Sequence, residues 1–283
     1  MKLSVDGGFT CPNRDGVIGH GGCIFCGERG AGEFTSDMGS IKEQALKQIE
    51  MLREKWDTDT YIVYFQNFTN TYAPIEKLKR LYEEALEIPG VVGLAIATRP
   101  DCLQDDVMDY LSELNKRTFI WIELGLQSIH EKTEKFIRRG YPLRVYDSAI
   151  DRLRKEDIKV VTHLILGLPN ESEDEILESI KYVGKTNTWG IKLHSLYIQY
   201  DTELYNFYEK EPFEILTKDE YVHIITQGLK YLPKDMVIHR LTGDGDKKLL
   251  FQPKWSGDKL SVISQIDRKM KELGIHQGDN LIL

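Results

Sequence analysis

Five short runs of apolar, β-branched and aromatic residues recur through the chain: YIVYF (61–65), VVGLAIAT (91–98), FIWIELGL (119–126), KVVTHLILGL (159–168) and GIKLHSLYI (190–198). They start roughly 30 residues apart, the cadence of repeated β-α units. Strands that are apolar along nearly their whole length are buried on both faces, as in a parallel sheet covered by helices. Helical patterns fill the gaps. Ile41, Ala45, Ile49, Leu52 and Trp56 recur at intervals of four, four, three and four, which lines one helix face. Ser172 with Glu175 forms a capping box ahead of Ile176, Leu177, Ile180 and Val183. Helices also fit 73–87, 104–116, 146–156, 217–231 and 259–273. With LSV at 3–5 as a first strand, six β-α units result. The expectation is an α/β fold, a partial (β/α)6 TIM-type barrel, although an open doubly wound sheet obeys the same pattern. In either, functional groups gather at the C-terminal ends of the strands. The cadence stops after about Gly190, so 1–200 reads as the core barrel and 201–283 as an extension capping its mouth.

The strand ends are unusually polar. The first strand runs into CPNRDGVIGHGGCIFC (11–26), which holds Cys11, Cys23 and Cys26. The second ends in Gln66-Asn67-Phe68-Thr69-Asn70 and the third in Thr98-Arg99-Pro100-Asp101-Cys102. The fourth ends in Glu123-Leu124-Gly125-Leu126-Gln127-Ser128 and the fifth in His163 through Pro169. Core packing alone would not deliver Glu, Gln, Arg and His to the same end repeatedly. Three thiolates in a glycine-rich loop point to a soft metal: zinc, copper(I) or an iron–sulfur cluster. On a four-iron cube, three ligands leave one iron open to a small molecule. The alternative is a structural zinc site with His20 as fourth ligand.

Composition sets the bounds. The chain has 283 residues, 41% hydrophobic and 29% charged, as expected of a soluble globular protein. A net charge of −8 announces no global attraction to nucleic acid. Locally the sign reverses: 247–271 carries seven Lys or Arg against Asp258 and Asp267. No cationic apolar leader opens the chain and no apolar run approaches a membrane span. A reducing cytoplasm is therefore the expected location, where clustered cysteines mean metal or catalysis and not disulfides.

On these motifs the sequence resembles the radical S-adenosylmethionine (radical SAM) enzymes of the branch related to the catalytic subunit of Elongator. Within that branch it is most similar to a bacterial family lacking the acetyltransferase domain. The motifs are DGGFTCPNRDGVIGHGGCIFC (6–26), TRPDCL (98–103), ELGLQS (123–128), RRGYP (138–142), HLILGLP (163–169) and IKLHSLYIQYDTELY (191–205). The resemblance implies that Cys11, Cys23 and Cys26 bind a [4Fe–4S] cluster whose fourth iron is chelated by S-adenosylmethionine. One electron then releases a 5′-deoxyadenosyl radical, the protein supplying placement and exclusion of water. By motif position, Phe25, Glu123, Gln127, Arg139, His163 and Gly167 would line the S-adenosylmethionine site, with Gln66 reaching its methionine part. The resemblance also implies an electron donor such as flavodoxin or ferredoxin. It implies a transfer RNA substrate as well, modified on a wobble-uridine side chain. Three features differ from relatives. The cysteine spacing is eleven then two, in keeping with the Elongator-like branch but longer than the commonest three then two. Ala97 stands where those relatives tend to have Glu, so that acid's role is absent or moved. The chain also starts at a strand where relatives usually have a short lead-in, which suggests a shortened N-terminus.

Plainer readings stand beside these. Cys102 fits a small buried residue; its sharper reading is a thiol at a strand end that gives a hydrogen atom or holds substrate. His163 would ordinarily be a satisfied core histidine. His194 and Arg240 are substrate-side candidates because titratable groups at a barrel mouth are enriched in function. Lys248, Lys254 and Trp255, with Lys247 and Phe251, mix charge with stacking surface as RNA contacts do, or else merely solvate a helix face. A porphyrin-type or small-molecule substrate and a zinc-stabilised RNA-binding adaptor are the rival functions.

Overall fold

Every apolar run becomes a strand. The computed structural model describes residues 1–30, 35, 39–243 and 245–281. The strands are β1 (Lys2–Val5), β2 (Tyr61–Phe65), β3 (Val91–Thr98), β4 (Phe119–Gln127), β5 (Lys159–Leu166), β6 (Gly190–Ser195), β7 (Ile198–Gln199), β8 (Val237–Arg240) and β9 (Leu250–Gln252). The helices are α1 (Ile41–Leu52), α2 (Ile75–Leu86), α3 (Asp105–Arg117), α4 (Glu131–Ile137), α5 (Leu143–Lys155), α6 (Glu173–Lys185), α7 (Glu203–Lys210), α8 (Lys218–Leu229) and α9 (Lys259–Leu273). Seven strands share one sheet in the order β1-β2-β3-β4-β5-β6-β8, and β7 pairs with β9. The seventh strand, β8, lies outside the six-unit expectation. Its four residues, VIHR, are too short and too polar at one end to stand out as an apolar run.

Two compact units divide the chain: Met1–Gly22 with Arg29–Gly125 and Arg144–Val160, and Cys23–Glu28 with Leu126–Leu143 and Val161–Leu283. In the first unit β1 to β4 run parallel, with Val5 beside Phe65, Phe65 beside Ile96 and Ala97 beside Glu123. β1 is an edge strand, and an edge leaves alternate amides and carbonyls without a sheet partner. Helix α1 supplies them. Gln48 Oε1 accepts from Ser4 N (2.8 Å) while its Nε2 donates to Ser4 O; Gln44 Oε1 accepts from Asp6 N (2.8 Å) while its Nε2 donates to Asp6 O (2.9 Å). This corrects the expected apolar stripe. Ile41 and Ala45 are buried as expected, but the face turns toward Gln44 and Gln48, and Trp56 lies beyond the helix end at 55% exposure.

In the second unit β5, β6 and β8 run parallel. One side of these strands presents Thr162, Leu164, Ile191 and Leu193, all fully buried. The capping box expected at Ser172 is present: its hydroxyl accepts from Glu175 N, and the Glu175 carboxylate accepts from Ser172 N. Lys132 and those bonds hold the Glu175 carboxyl down at about 2. Helix α8 packs on both α6 and α9.

Candidate functional site

In the first unit, Cys11 opens a tight loop. Its carbonyl accepts from Arg14 N (2.8 Å) and Asp15 N (3.2 Å), a bridge joins Asp15 to His20, and Gly22 N donates to Asn13 O (2.8 Å). Gly16, Gly21 and Gly22 take φ of +95°, +80° and +91°, the left-handed region that glycine enters without a Cβ penalty. In the second unit, Cys23 and Cys26 bracket a turn closed by Cys26 N donating to Cys23 O (2.9 Å). The turn is pinned by residues distant in sequence. Ile24 N donates to Ile137 O (3.2 Å), Ile24 O accepts from Leu204 N (2.7 Å), and Glu28 N donates to Asp201 Oδ2 (3.2 Å). A Cβ on Gly27 would sit 2.6 Å from that same carboxylate oxygen, so the clamp requires glycine there. Asp201 Oδ1 and the buried Gln199 Nε2 have no hydrogen-bond partner among the described residues. Phe25 packs against the cluster of Ile24, Ile137, Leu168, Leu196, Ile198 and Leu204.

None of the four cysteines is in a disulfide. Cys11, Cys23 and Cys26 are partly exposed, whereas Cys102 is buried. Among the described residues no three His, Cys, Asp or Glu side chains stand gathered to hold a metal as they are. The donor set itself suits a cluster: three accessible soft ligands, two of them on a turn flanked by buried polar atoms left unsatisfied by the protein. Cys102 differs in kind. It ends a 3₁₀ turn, Pro100–Cys102, and burial together with the Asp101 carboxylate 3.8 Å from its sulfur pushes the thiol far up, so it stays protonated.

The strand ends divide between anchoring and presentation. Glu123, 1% exposed, accepts from Trp121 Nε1 (3.0 Å), and Lys2 Nζ lies 3.6 Å away, so its buried charge is compensated. Gln66 is half-buried, its backbone N donating to Val5 O (3.3 Å). Gln127 has φ +61°, costly for a residue with a side chain. Arg139 holds that kink. It is 1% exposed and donates from Nη1 to the carbonyls on either side, Leu126 O (2.5 Å) and Ser128 O (2.6 Å), and from Nε to Tyr141 O (3.1 Å). Its fork faces main chain, which sequence reasoning does not reveal. Gly167 has φ +88°, and a Cβ there would press within 2.8 Å of Leu216.

His163 and His194 stand with ring centroids 5.3 Å apart. Lys192 lies in register with His163 on one side and Arg240 on the other. Lys192 had escaped the sequence reading, although a lysine within GIKLHS was the available signal. In the tail, Trp255 Nε1 donates to Leu216 O (3.0 Å) and its ring lies against Tyr221, with centroids 5.2 Å apart. Lys254 Nζ donates to Leu250 O (2.8 Å). Lys247 and Lys248 remain exposed, on the turn whose Leu249 O accepts from Tyr200 N (2.9 Å). Tyr200, 49% exposed and braced edge-on by Tyr205 and Phe251, is the aromatic beside those lysines.

Parallel strands that end in a cysteine loop and in polar side chains define an α/β enzyme class whose chemistry sits at the strand termini. The sequence pattern of the Radical SAM superfamily matches residues 13–183, and that of the Radical_SAM C-terminal domain matches 188–272. The chain belongs to the radical SAM superfamily, whose enzymes use a [4Fe–4S] cluster and S-adenosylmethionine. It is 43% identical over 282 residues to "Uncharacterized protein YtqA" of Bacillus subtilis, covering 98% of this chain and 87% of that one. A tRNA uridine(34) acetyltransferase of Methanocaldococcus infernus is 25% identical over 177 residues, 60% of this chain and 33% of that protein. The structure of the Elp3 of the same archaeon, with residues 1–46 deleted, shares the fold at a TM-score of 0.74 and 20% identity, over 98% of this chain and 63% of that one. The expected radical SAM barrel class is thus the fold this chain has.

Proposed function

We propose that this radical SAM enzyme modifies transfer RNA at a wobble-uridine side chain, with Cys11, Cys23 and Cys26 as the ligands of its cluster. The observation that carries the substrate is the 177-residue match to a protein named for uridine 34 of transfer RNA. When bound, the cluster and S-adenosylmethionine supply a 5′-deoxyadenosyl radical able to take hydrogen from carbon.

The residues divide the remaining work. Asp201, Leu204 and Ile137 hold the turn that carries Cys23 and Cys26. Arg139 fixes Gln127 in its left-handed conformation, and Gln127, Glu123 and His163 contact S-adenosylmethionine. Phe25 shields the turn from water. Cys102, protonated and buried, is a hydrogen-atom donor in waiting. Lys248 and Tyr200 take RNA phosphate and base, an assignment supported by their exposure. A reductant of the flavodoxin or ferredoxin kind supplies the electron. No helix among the described residues is long and apolar enough to cross a membrane.

The test compares modified nucleosides in transfer RNA from wild-type and deletion strains, with complementation by Cys23→Ala and Cys102→Ala. A nucleoside should change on deletion and stay changed with Cys23→Ala. Identical nucleoside profiles in the wild-type and deletion strains would remove the transfer RNA reading. Full iron and sulfide loading of purified Cys23→Ala would remove the ligand assignment.

A further inference from the structure

We propose, on the ligand assignment above, that Asp201 is a positioning residue whose carboxylate charge lowers the reduction potential of the cluster held by Cys23 and Cys26. Asp201 Oδ2 accepts from Glu28 N (3.2 Å), two residues beyond Cys26. A Cβ built on Gly27 would lie 2.6 Å from Oδ2, 3.3 Å from Cγ and 3.4 Å from Oδ1. The whole carboxylate therefore faces the residue that follows Cys26. The segment carrying it runs beside the cysteine turn, since Leu204 N donates to Ile24 O (2.7 Å). Asp201 itself sits on a closed turn, in which Gln199 O accepts from both Thr202 N (3.1 Å) and Thr202 Oγ1 (2.7 Å). Tyr200 N donates to Leu249 O (2.9 Å) and ties that turn down from the other side. The charge is thus fixed in place next to the ligand turn.

A clamp alone does not need that charge. The oxygen of an asparagine or serine side chain accepts a main-chain amide as well. Oδ1 is buried without a hydrogen-bond partner among the described residues, and no basic side chain there pairs with the carboxylate. Such a charge is costly to keep, and salt screens it less than it screens an exposed one. An iron–sulfur cluster gains negative charge when it takes up an electron, and its potential follows the net charge around it. A fixed carboxylate close by opposes that electron by like-charge repulsion, so the potential falls. The electron passed on to S-adenosylmethionine is then the more strongly reducing one. Glu28 supplies the contrast: it is exposed on the same stretch of chain, where water and salt screen its charge.

Wild type, Asp201→Asn, Asp201→Ala and Glu28→Gln are loaded anaerobically, and iron and sulfide are measured in each. The midpoint potential is titrated through the electron paramagnetic resonance signal of the reduced cluster, at low and at high ionic strength. Asp201→Asn keeps an oxygen for Glu28 N and removes only the charge. It should load as wild type does, and its midpoint should move to a less negative value by the same amount at both ionic strengths. Glu28→Gln should move the midpoint less, by an amount that shrinks as salt rises. Asp201→Ala removes charge and acceptor together, so it should show the same shift and lose part of the iron and sulfide besides.

An unchanged midpoint in loaded Asp201→Asn would leave Asp201 a clamp alone and overturn its role in the potential. So would a shift to a more negative value, or one no larger than that of Glu28→Gln. The midpoint belongs to the loaded fraction, so a partly loaded Asp201 variant still decides the question. Failure of both Asp201 variants to hold any cluster would give the carboxylate to assembly and overturn the role as well. Cys23→Ala is loaded alongside. If it fills completely, the ligand assignment fails first. If it stays empty while the Asp201→Asn midpoint is unchanged, the role of Asp201 fails alone. No arm uses transfer RNA, so the outcome is independent of the substrate.

Discussion

Arg139 shows how one side chain sets the geometry of its neighbours. Its guanidinium replaces water for three main-chain carbonyls and keeps Gln127 at φ +61°. Arg139→Met removes a donor from all three; Leu126 O keeps Ser128 N (2.8 Å), so the loss falls on the Ser128 and Tyr141 carbonyls, at about 1–3 kcal/mol each. A melting-temperature fall of roughly 4–24 °C is expected, with weaker S-adenosylmethionine binding in the part that stays folded. An unchanged melting temperature would show that solvent or another donor reaches the kink. Glu171 works in the opposite sense. Burial raises its carboxyl above the usual range, although the Ser128 hydroxyl that donates to it pulls the other way. The folded chain therefore holds this proton more tightly than the unfolded one. The stability from this group is present at low pH and lost as pH rises through the folded value. Glu171→Gln keeps an acceptor for Ser128 and removes the ionisation, so its melting temperature should gain on wild type between about pH 4 and about pH 7. A gain by wild type over that interval would reverse the sign.

At the scale of elements, the pairing of α1 with β1 is a helix face chosen for hydrogen bonding. Gln44 and Gln48 occupy a face where apolar residues would be the ordinary choice, and each completes one donor and one acceptor of the edge strand. Gln48→Ala should cost about 2 kcal/mol and, by exposing the edge, increase concentration-dependent light scattering on heating. Loss of stability without scattering would mean that the edge is guarded by other means. The same elements explain what the sequence discloses. β2 to β6 and the long helices follow periodicity, because burial on one or two faces writes itself into the order of residues. Helix α4 does not: of EKTEKFI, Thr133 and Ile137 alone are buried, so no apolar stripe marks it. Trp56 was misleading for the complementary reason, since spacing continues a helix pattern past the point where the backbone leaves it.

For the whole molecule, charge and aromatic placement decide how a large anionic partner could be met. The chain is net acidic at −8, so the RNA contact that the proposed function requires would have to be local. Trp255 belongs to the packing by its bond to Leu216 O and its contact with Tyr221. Trp255→Ala should lower stability by about 3 kcal/mol and leave the salt dependence of RNA binding alone. Lys248→Ala should instead leave stability alone and reduce that dependence by about one unit. Titration of transfer RNA at several salt concentrations distinguishes them, and equal slopes for wild type and Lys248→Ala would free this turn of any RNA role. The candidate site was legible where chemistry is local in sequence, as in the cysteine loop or the Glu123 to Gln127 stretch. It was illegible where partners are brought by register. Lys192 beside Arg240, or Arg139 beneath Gln127, is a product of strand alignment and chain return that no short motif records.

The clamp on the cysteine turn carries a consequence for the order in which this protein is made. Cys23 and Cys26 leave the ribosome well before the residues that hold their turn: Glu28 finds its carboxylate at Asp201, 173 positions later, and the Ile24 carbonyl finds its amide at Leu204. A nascent chain thus displays its thiols long before it owns the scaffold that shapes them. Metal delivered early meets a floppy dithiol; metal delivered after the seventh β-α passage meets a preset one. A chain ending at residue 198 would carry all three cysteines and should retain markedly less iron and sulfide than the full chain after anaerobic loading and gel filtration. Equal retention would mean that the turn shapes itself. Otherwise maturation is timed by translation, and a prematurely terminated product is denied the means to begin radical chemistry.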